Sequence, residues 1–565
     1  MTRRILEHTG GPAWVDSEWF QRLLEIIPGT ITWLTFILPI VCSLVWPVAV
    51  AYFIIAFDLY WSVKAFRLSF NLIRGYRRLQ WAKRINWHGR LAQVLDLNTS
   101  IAQVSGAKNA FLKAHSGVNH VWGGQPAAIR KQYHELVLED RRLRSLASGA
   151  STMLNPGEVY HAVIMATYNE TIEILDPSVR ALLDVDYPHN RIIFVLAYEE
   201  RGGERTRDNA RLIMERYQDK FAFALAVEHP QDLPGEIIGK GGNITYAGRK
   251  LTEEIRKRGI DPDHVVVTTL DADNRVSPEY LAYLTYEYAI DTNRKYKSYQ
   301  PVPMFYNNIW DVPAAMRVIA TANSFWILME MMRPHRLRNF AAHSQPLSAL
   351  IDCDYWSVTT IVEDGHQYWR TWFRYDGRYD VVPIFMPIYQ DAVLADTYWK
   401  TFQVQFLQLR RWAWGVSDFA YAVRHSCANR RIPWGRKLPQ LFRLIEGHYS
   451  WATASLLLMF TAWLPLYLNR QFSYMSLAHT LPVITSRILT IGSVSLALTI
   501  IISVIMLPPR PARYRRIRFM GMLAQWILMP VVSIVFSAFA AINAQTRLMF
   551  GRYLEFYVTE KATKK

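Results

Sequence analysis

Hydrophobic positions gather toward the two ends of this 565-residue chain, and the stretch between them alternates short apolar and polar runs. The first apolar block, Thr30–Ala65, is interrupted by Pro47. As one helix, at about 1.5 Å per residue, it would overshoot a hydrocarbon core of roughly 30 Å, so the pattern predicts a hairpin of two spans meeting near Trp46–Pro47. Three further stretches, Gly447–Leu468, Ile488–Leu507 and Phe519–Ala544, are each long enough to cross a bilayer, which gives five predicted spans. Pro530 breaks the last of them, so a re-entrant or interfacial course stays open there, and with it the side on which the tail 545–565 emerges. That tail reads as a docking segment.

From Glu158 the period changes. Apolar runs of strand length, His161–Thr167, Ile192–Leu196, Phe221–Val227 and His264–Leu270, alternate with helix-compatible segments at 174–184, 205–217 and 244–258. This alternation predicts an α/β domain, a mostly parallel sheet flanked by helices, inserted between transmembrane helices. The expected organisation is a membrane hairpin (1–65), a connecting region (66–157), the α/β domain (158–394), amphipathic interface helices (395–446) and a C-terminal membrane region (447–565).

The formal charge of +17 raises nucleic acid as a partner, and its location argues against one. Lys64, Arg67, Arg74, Arg77, Arg78, Lys83 and Arg84 follow the first hairpin, and Arg510, Arg513, Arg515, Arg516 and Arg518 sit between the last two apolar stretches. Such clusters mark cytoplasmic loops, which places the α/β domain in the cytoplasm beneath a plasma membrane, the inner membrane of a bacterium. Glu7, Asp16, Glu18 and Glu25 precede the first span, so a cleaved signal peptide is not expected. Cys42, Cys353 and Cys427 are too few and scattered for a disulfide framework and read as packing residues. Asp58 lies inside an apolar span, where a carboxylate needs a partner or a wet interior; pairing within the bundle is the plainer reading.

In α/β sheets ligands gather outside the carboxyl ends of the strands, where this chain puts Tyr168–Glu170, Glu199–Glu200 and Asp271–Asp273. Asp271-Ala-Asp273 closes an apolar run; two carboxylates one residue apart at a strand end suit a hard divalent cation, Mg²⁺ or Mn²⁺, that also takes oxygens from a diphosphate. A solvated turn or helix cap before Ser277-Pro278 is the plain alternative, and the position after a buried strand favours the metal. Glu363-Asp364, followed by His366, offers a group to take a proton from an acceptor hydroxyl, against the alternative of an acidic pair opening a helix.

Gln408, Arg410, Arg411 and Trp412 set guanidinium and amide donors beside an indole, suited to a leaving diphosphate and the apolar face of a sugar. A basic, aromatic membrane-surface helix explains part of the same stretch. Lys240-Gly-Gly-Asn243 offers a cation in a flexible, glycine-rich loop for a nucleotide or phosphate, a common pattern when met alone.

Taken in order, Thr167-Tyr168-Asn169-Glu170, Lys240-Gly-Gly-Asn243, Asp271-Ala-Asp273, Gln300–Asn307, Glu363-Asp364-Gly-His366 and Gln408-Leu-Arg-Arg411-Trp412 resemble the membrane-embedded family-2 inverting glycosyltransferases. Within that family the motifs are similar to those of bacterial cellulose synthase catalytic subunits, with chitin and hyaluronan synthases as relatives. The resemblance implies a GT-A nucleotide-sugar domain in which Tyr168, Glu170, Glu199 and Lys240 face the nucleotide and Asp271 and Asp273 hold the metal. It further implies Asp364 as general base, Gln408 and Arg411 on the diphosphate, and Trp412 beneath the acceptor sugar. Three features depart from it: Glu199-Glu200 in place of an Asp pair, Val362 in place of threonine, and Phe340-Ala-Ala-His-Ser344 without glycine or cysteine, which argues against cellulose as product.

The expected activity is transfer of a sugar from a nucleoside-diphosphate sugar to a growing polysaccharide, with threading outward through the membrane helices. One alternative is a single transfer to a lipid-linked acceptor. Another, of a different class, is a transporter or assembly scaffold that binds nucleotide without catalysis.

Overall fold

The computed structural model describes residues 7–115, 127–149 and 152–556. The end of the tail read as a docking segment, 557–565, lies outside the described residues. Among the described residues five helical segments are long and apolar enough to cross a membrane, Glu18–Val45, Pro47–Ala82, Trp434–Leu468, Ser476–Met506 and Ile517–Met549. They flank a folded domain, which makes the chain a multi-pass membrane protein with a core outside the bilayer. Their outer faces carry exposed Ile37, Leu44, Ile501 and Ile527, side chains that a solvated helix would bury and that lipid accepts.

The first apolar block breaks at Trp46, after which Pro47 opens the next helix at a position where its missing N–H costs nothing. That second helix runs for 36 residues, roughly 54 Å, so its basic half projects beyond the apolar layer. There Gly75 passes so close to the helix Ala314–Met331 that a Cβ would sit 2.8 Å from Leu328 Cγ, which docks the membrane helix directly on the domain.

The last apolar segment is irregular: a 3₁₀ turn at Gln525–Leu528, Pro530, and a π-helical stretch at Ser533–Ala538 precede Phe539–Met549. Both of its ends are tied down by arginines. At the start Arg513 pairs with Asp311 at 2.7 Å, and Arg518 donates to the Trp310 carbonyl at 2.6 Å. At the finish Arg22 donates to the carbonyls of Leu548 and Met549, and the Arg411 guanidinium lies 4.8 Å from the Phe556 ring centre. The backbone stays helical through every one of these junctions, so the segment is a single kinked run of 33 residues, and Arg317 of the domain also donates to Gln525 within it.

The domain is built on one eight-stranded sheet in the order β3-β2-β1-β4-β7-β6-β8-β5. β1 (Tyr160–Thr167), β2 (Ile192–Glu199), β3 (Phe223–His229) and β4 (Val265–Asp271) are mutually parallel. The mostly parallel GT-A sheet expected from the sequence is corrected at the next strand. β7 (Ser344–Pro346) runs antiparallel to both β4 and β6 (Lys297–Met304), and β5 (Arg275–Val276) runs antiparallel to β8 (Asp380–Tyr389), so the sheet is mixed. The reason is local: after β6 the chain runs through the helix Ala314–Met331 and the loop at Phe340–His343, and Ser344, Gln345 and Pro346 then re-enter the middle of the sheet in the opposite direction. Gln300–Asn307, one of the motifs that carry the resemblance, contributes most of β6, whose ladder with β8 tolerates Pro301 and Pro303 through a register shift between Pro301 and Val302.

Candidate functional site

Three chain segments far apart in sequence converge at the carboxyl end of β4. Asp271 is the last residue of that strand; Lys240 opens the helix Lys240–Lys257; Asp364 lies in the first turn of the helix Glu363–Arg374. The Lys240 ammonium sits 2.8 Å from Asp271 Oδ1 and 4.0 Å from Asp364 Oδ2. Burial alone would lower the Lys240 pKa, but the carboxylates of Asp271, Asp364 and Glu363 override it and hold the amine firmly charged. A cation in the first turn opposes the helix dipole, and these carboxylates offset that cost.

The Lys-Gly-Gly-Asn run is thus a helix start and not a flexible loop. A Cβ on Gly241 would lie 2.3 Å from the Ser357 carbonyl oxygen, so the glycine is what lets the helix end approach the segment leading to Asp364. Asn243 is buried and donates to the Ala197 carbonyl at 3.0 Å, tying the same turn to the end of β2.

Asp364 and Glu363 differ in setting. Glu363 is 4 % exposed, and burial together with the charge of Asp364 raises its pKa, favouring its neutral form. The Asp364 side chain retains 20 % exposure. Desolvation pushes Asp364 up, yet Lys240, His343 and Arg411 outweigh it and hold its carboxyl below the ordinary range. His343 is the functional neighbour that the motifs did not announce: its Nδ1 lies 3.4 Å from Asp364 Oδ1 and 3.1 Å from the Phe340 carbonyl, while Nε2 accepts from Trp356 Nε1 at 3.3 Å. That network assigns the Nδ1–H tautomer, which donates to the Phe340 carbonyl and turns the polarised N–H edge of the ring toward the carboxylate. The only sequence trace of it was the departure at Phe340–Ser344.

His366, two residues on, turns away from Asp364. Its Nδ1 is 2.7 Å from Asp418 Oδ1 and its Nε2 4.0 Å from Glu7 Oε2, while Glu7 also accepts from Ser357 and Thr359 at 2.9 and 2.8 Å. Burial opposes the charge on His366, but Asp418 and Glu7 dominate and raise its pKa to about 9. A raised folded-state pKa gives stability that is fully present below the unfolded value of about 6.5 and lost as pH climbs through about 9. His366→Gln is therefore expected to cost on the order of 2 kcal/mol at pH 6 and almost nothing at pH 9.5. Thermal unfolding of both proteins in lipid discs across that range checks it, and a pH-independent gap between them would remove the charged histidine from the account.

Asp273 is 5 % exposed and accepts from the Asp391 N–H at 2.9 Å, while the Asn307 amide donates to its carbonyl at 3.0 Å. No group of three or more His, Cys, Asp or Glu side chains suited to a metal occurs among the described residues. Asp271 and Asp273 nevertheless form a hard-oxygen pair compatible with Mg²⁺ or Mn²⁺, ions that take one or two protein carboxylates and complete their shell with phosphate and water.

The remaining predicted residues divide. On the helix Tyr398–Ala413, Gln408, Arg411 and Trp412 share one face at spacings of three and four. Arg411 is close enough for its charge to act on both carboxyls, opposing the rise at Glu363 and helping to lower Asp364, and Trp412 packs on Phe305 with ring centres 6.1 Å apart. Gln408 accepts from the Gln405 amide at 3.0 Å. Tyr168 stacks under the Arg201 guanidinium at 4.5 Å. Glu170 folds back, accepting from Thr167 Oγ1 and the Tyr168 N–H at 2.8 Å each, so its carboxylate shapes its own loop. Glu199 is buried between Arg201 (3.1 Å) and His229 (3.2 Å).

No protein-family model matches the chain, and no curated protein does. Among solved structures, the chain is similar to the mannosyltransferase PcManGT from Pyrobaculum calidifontis, in complex with GDP-Man and Mn²⁺, at 14% identity and TM-score 0.38 over 81% of this chain and 100% of that one. It is also similar to S. aureus TarS 1–349, at 14% identity and TM-score 0.33 over 71% of this chain and 94% of that one. The same TarS fragment with UDP-GlcNAc matches at 15% identity and TM-score 0.32, again over 71% and 94%. Likenesses at these scores carry no argument about this chain. The resemblance to family-2 cellulose, chitin and hyaluronan synthases is corrected on two grounds: no family model supports it, and the sheet is mixed where the resemblance implied a mostly parallel one.

Proposed function

We propose that this protein is a membrane-bound glycosyltransferase that moves one sugar from a nucleoside-diphosphate sugar to a lipid-linked acceptor at the cytoplasmic face of a plasma membrane. The observation that carries the reading is the buried Lys240 ammonium joining the Asp271 carboxylate to Asp364, since it brings a diphosphate-binding edge and a proton acceptor into one charge network. In the reaction the acceptor hydroxyl oxygen bonds to the anomeric carbon as the bond from that carbon to the diphosphate oxygen breaks. The electron pair leaves with the nucleoside diphosphate and the hydroxyl proton passes to Asp364; a single displacement of this kind inverts the anomeric centre.

Lys240 and Arg411 supply positive charge where the diphosphate accumulates negative charge, and Gln408 adds an amide donor. Asp271 and Asp273 would hold Mg²⁺ or Mn²⁺, which when bound supplies Lewis-acid neutralisation of the leaving diphosphate. Tyr168 and Glu199 border the nucleotide side, Glu170 sets the loop between them, and Trp412 offers an apolar face to the acceptor.

Single transfer is favoured over polymer export by the walls beside the site. A sugar chain needs hydroxyl partners along its path, whereas the groove next to the Arg410–Trp412 turn is lined by Trp33, Phe36, Leu456, Phe539 and Ile542 and carries polar side chains only at Asn543 and Thr546. The test is release of nucleoside diphosphate by the full chain in lipid discs across a panel of donor sugars with Mn²⁺, the products being extracted into organic solvent. One discrete glycolipid is expected. A ladder of products would return the reading to polymer synthesis, and nucleotide binding without release under every donor would make the chain a binding protein.

A further inference from the structure

Between the helices Glu18–Val45, Trp434–Phe460 and Phe539–Met549 a groove of about 430 Å³ opens at membrane level, lined by Trp33, Phe36, Leu456, Phe539, Asn543 and Thr546 among others. It is polarised. Phe36, Leu456 and Phe539 lie on the stretches of their helices farther from the domain, whereas Thr546 accepts from Trp33 Nε1 at 3.0 Å nearer to it. At that nearer end two guanidiniums share one acceptor, because Arg410 Nη1 and Arg547 Nε donate to Asn543 Oδ1 at 3.5 and 3.2 Å. Neither is ion-paired to a carboxylate among the described residues, and Arg410 Nε is buried with no acceptor there. Burial and the like charge of Arg547 both lower the Arg410 pKa, so this pair is held together against repulsion with no anion to offset it.

We infer that this groove seats the acceptor lipid, its apolar chain along Trp33, Phe36, Leu456 and Phe539 and an anionic phosphate head between Arg410 and Arg547. An apolar slot whose Asn543 end is flanked by two guanidiniums with no carboxylate partner among the described residues complements an amphiphile with a phosphate, the group whose fixed oxygens a guanidinium fork matches. Sequence continuity supplies the connection to chemistry: Arg410 precedes Arg411, which acts on Asp364. Calling the lipid an acceptor rests on the glycosyltransferase reading, whereas the phosphate-lipid site rests on the groove and the arginine pair alone.

The experiment uses the full chain in discs of neutral phosphatidylcholine, doped with a polyisoprenyl phosphate carrying a photoreactive diazirine in its chain. Crosslinks are expected on the segments around Trp33–Phe36 and Phe539–Thr546. Labelling should fall about tenfold or more in Arg410→Gln, in Arg547→Gln, and with the matching polyisoprenyl alcohol that lacks phosphate. Leu456→Trp, which fills the slot, should abolish it, and retained nucleotide binding by Arg547→Gln and Leu456→Trp shows that these variants fold. Equal labelling by alcohol and phosphate, labelling indifferent to Arg547, or complete competition by inorganic phosphate would overturn the site. Arginine-dependent labelling without sugar transfer under any donor would sink the glycosyltransferase reading and leave the lipid site standing; transfer with arginine-independent labelling would do the reverse.

Discussion

Asp364→Asn is expected to lower the turnover of sugar transfer by about 10²–10⁴-fold, the usual contribution of a positioned general base, while donor binding is kept. The substitution preserves size and removes one negative charge 4.0 Å from the Lys240 ammonium. An incoming diphosphate then meets less repulsion, so the Kd for nucleoside diphosphate should stay the same or fall. Glu363→Gln is the internal control. Burial and the neighbouring Asp364 charge already favour the neutral form of Glu363, which glutamine mimics, so its turnover should change by less than about tenfold. Single-turnover transfer rates and nucleotide titrations of the two variants decide the matter. A dead Glu363→Gln beside an active Asp364→Asn would move the base by one residue.

The motifs announced the members of this site but not their arrangement. Asp271, Lys240 and Asp364 each stood out as chemistry-bearing residues at an expected strand end, in a glycine-rich turn and in an acidic pair. Nothing in their spacing says that one lysine reaches both carboxylates, because that depends on Gly241 letting two backbones approach. His343 was invisible for a similar reason: it reaches Asp364 only because the short β7 turns back through the middle of the sheet. Glu170 is a conspicuous carboxylate whose arrangement its spacing does not show: it accepts from the N–H groups of its own loop.

Strands followed the same logic. β1, β2 and β4 are buried on both faces and so read as continuous apolar runs. β6 and β8 carry Pro301, Pro303, Pro383 and Pro387, residues that argue against a strand unless a ladder partner tolerates the missing donors. Missing those two, with the polar β7 between β4 and β6, is what turned a mixed sheet into an expected parallel one. At the membrane end, Pro530 marks the last apolar segment as irregular, and the structure shows how: a 3₁₀ turn and a π-helical stretch kink a helix that is never broken.

Lys240→Met should be the most damaging single substitution for stability and donor binding together. It leaves Asp271, Asp364 and Glu363 around one buried point without their cation, and breaking a buried pair by removing one partner costs about 3–5 kcal/mol. Loss of a charged donor to the diphosphate should weaken nucleoside-diphosphate binding by about 10–100-fold. The stability loss carries a pH signature. In the wild type the lowered pKa of Asp364 contributes stability above its unfolded value of about 3.9, and this is lost as pH falls toward the lower folded value. Without Lys240 that contribution is gone, so the gap between variant and wild type should be widest near pH 7, begin to narrow below about pH 4 and close only near pH 2.

Asp364→Asn in the Lys240→Met background should recover part of the loss by removing one of the stranded charges. Residues in contact within one charge network couple by about 0.5–3 kcal/mol, and the double-mutant cycle measured by thermal unfolding reads that term directly. Additive effects across the cycle would mean that Lys240 and Asp364 do not share a network, and would take with them the argument that one buried ammonium organises both the diphosphate and the base.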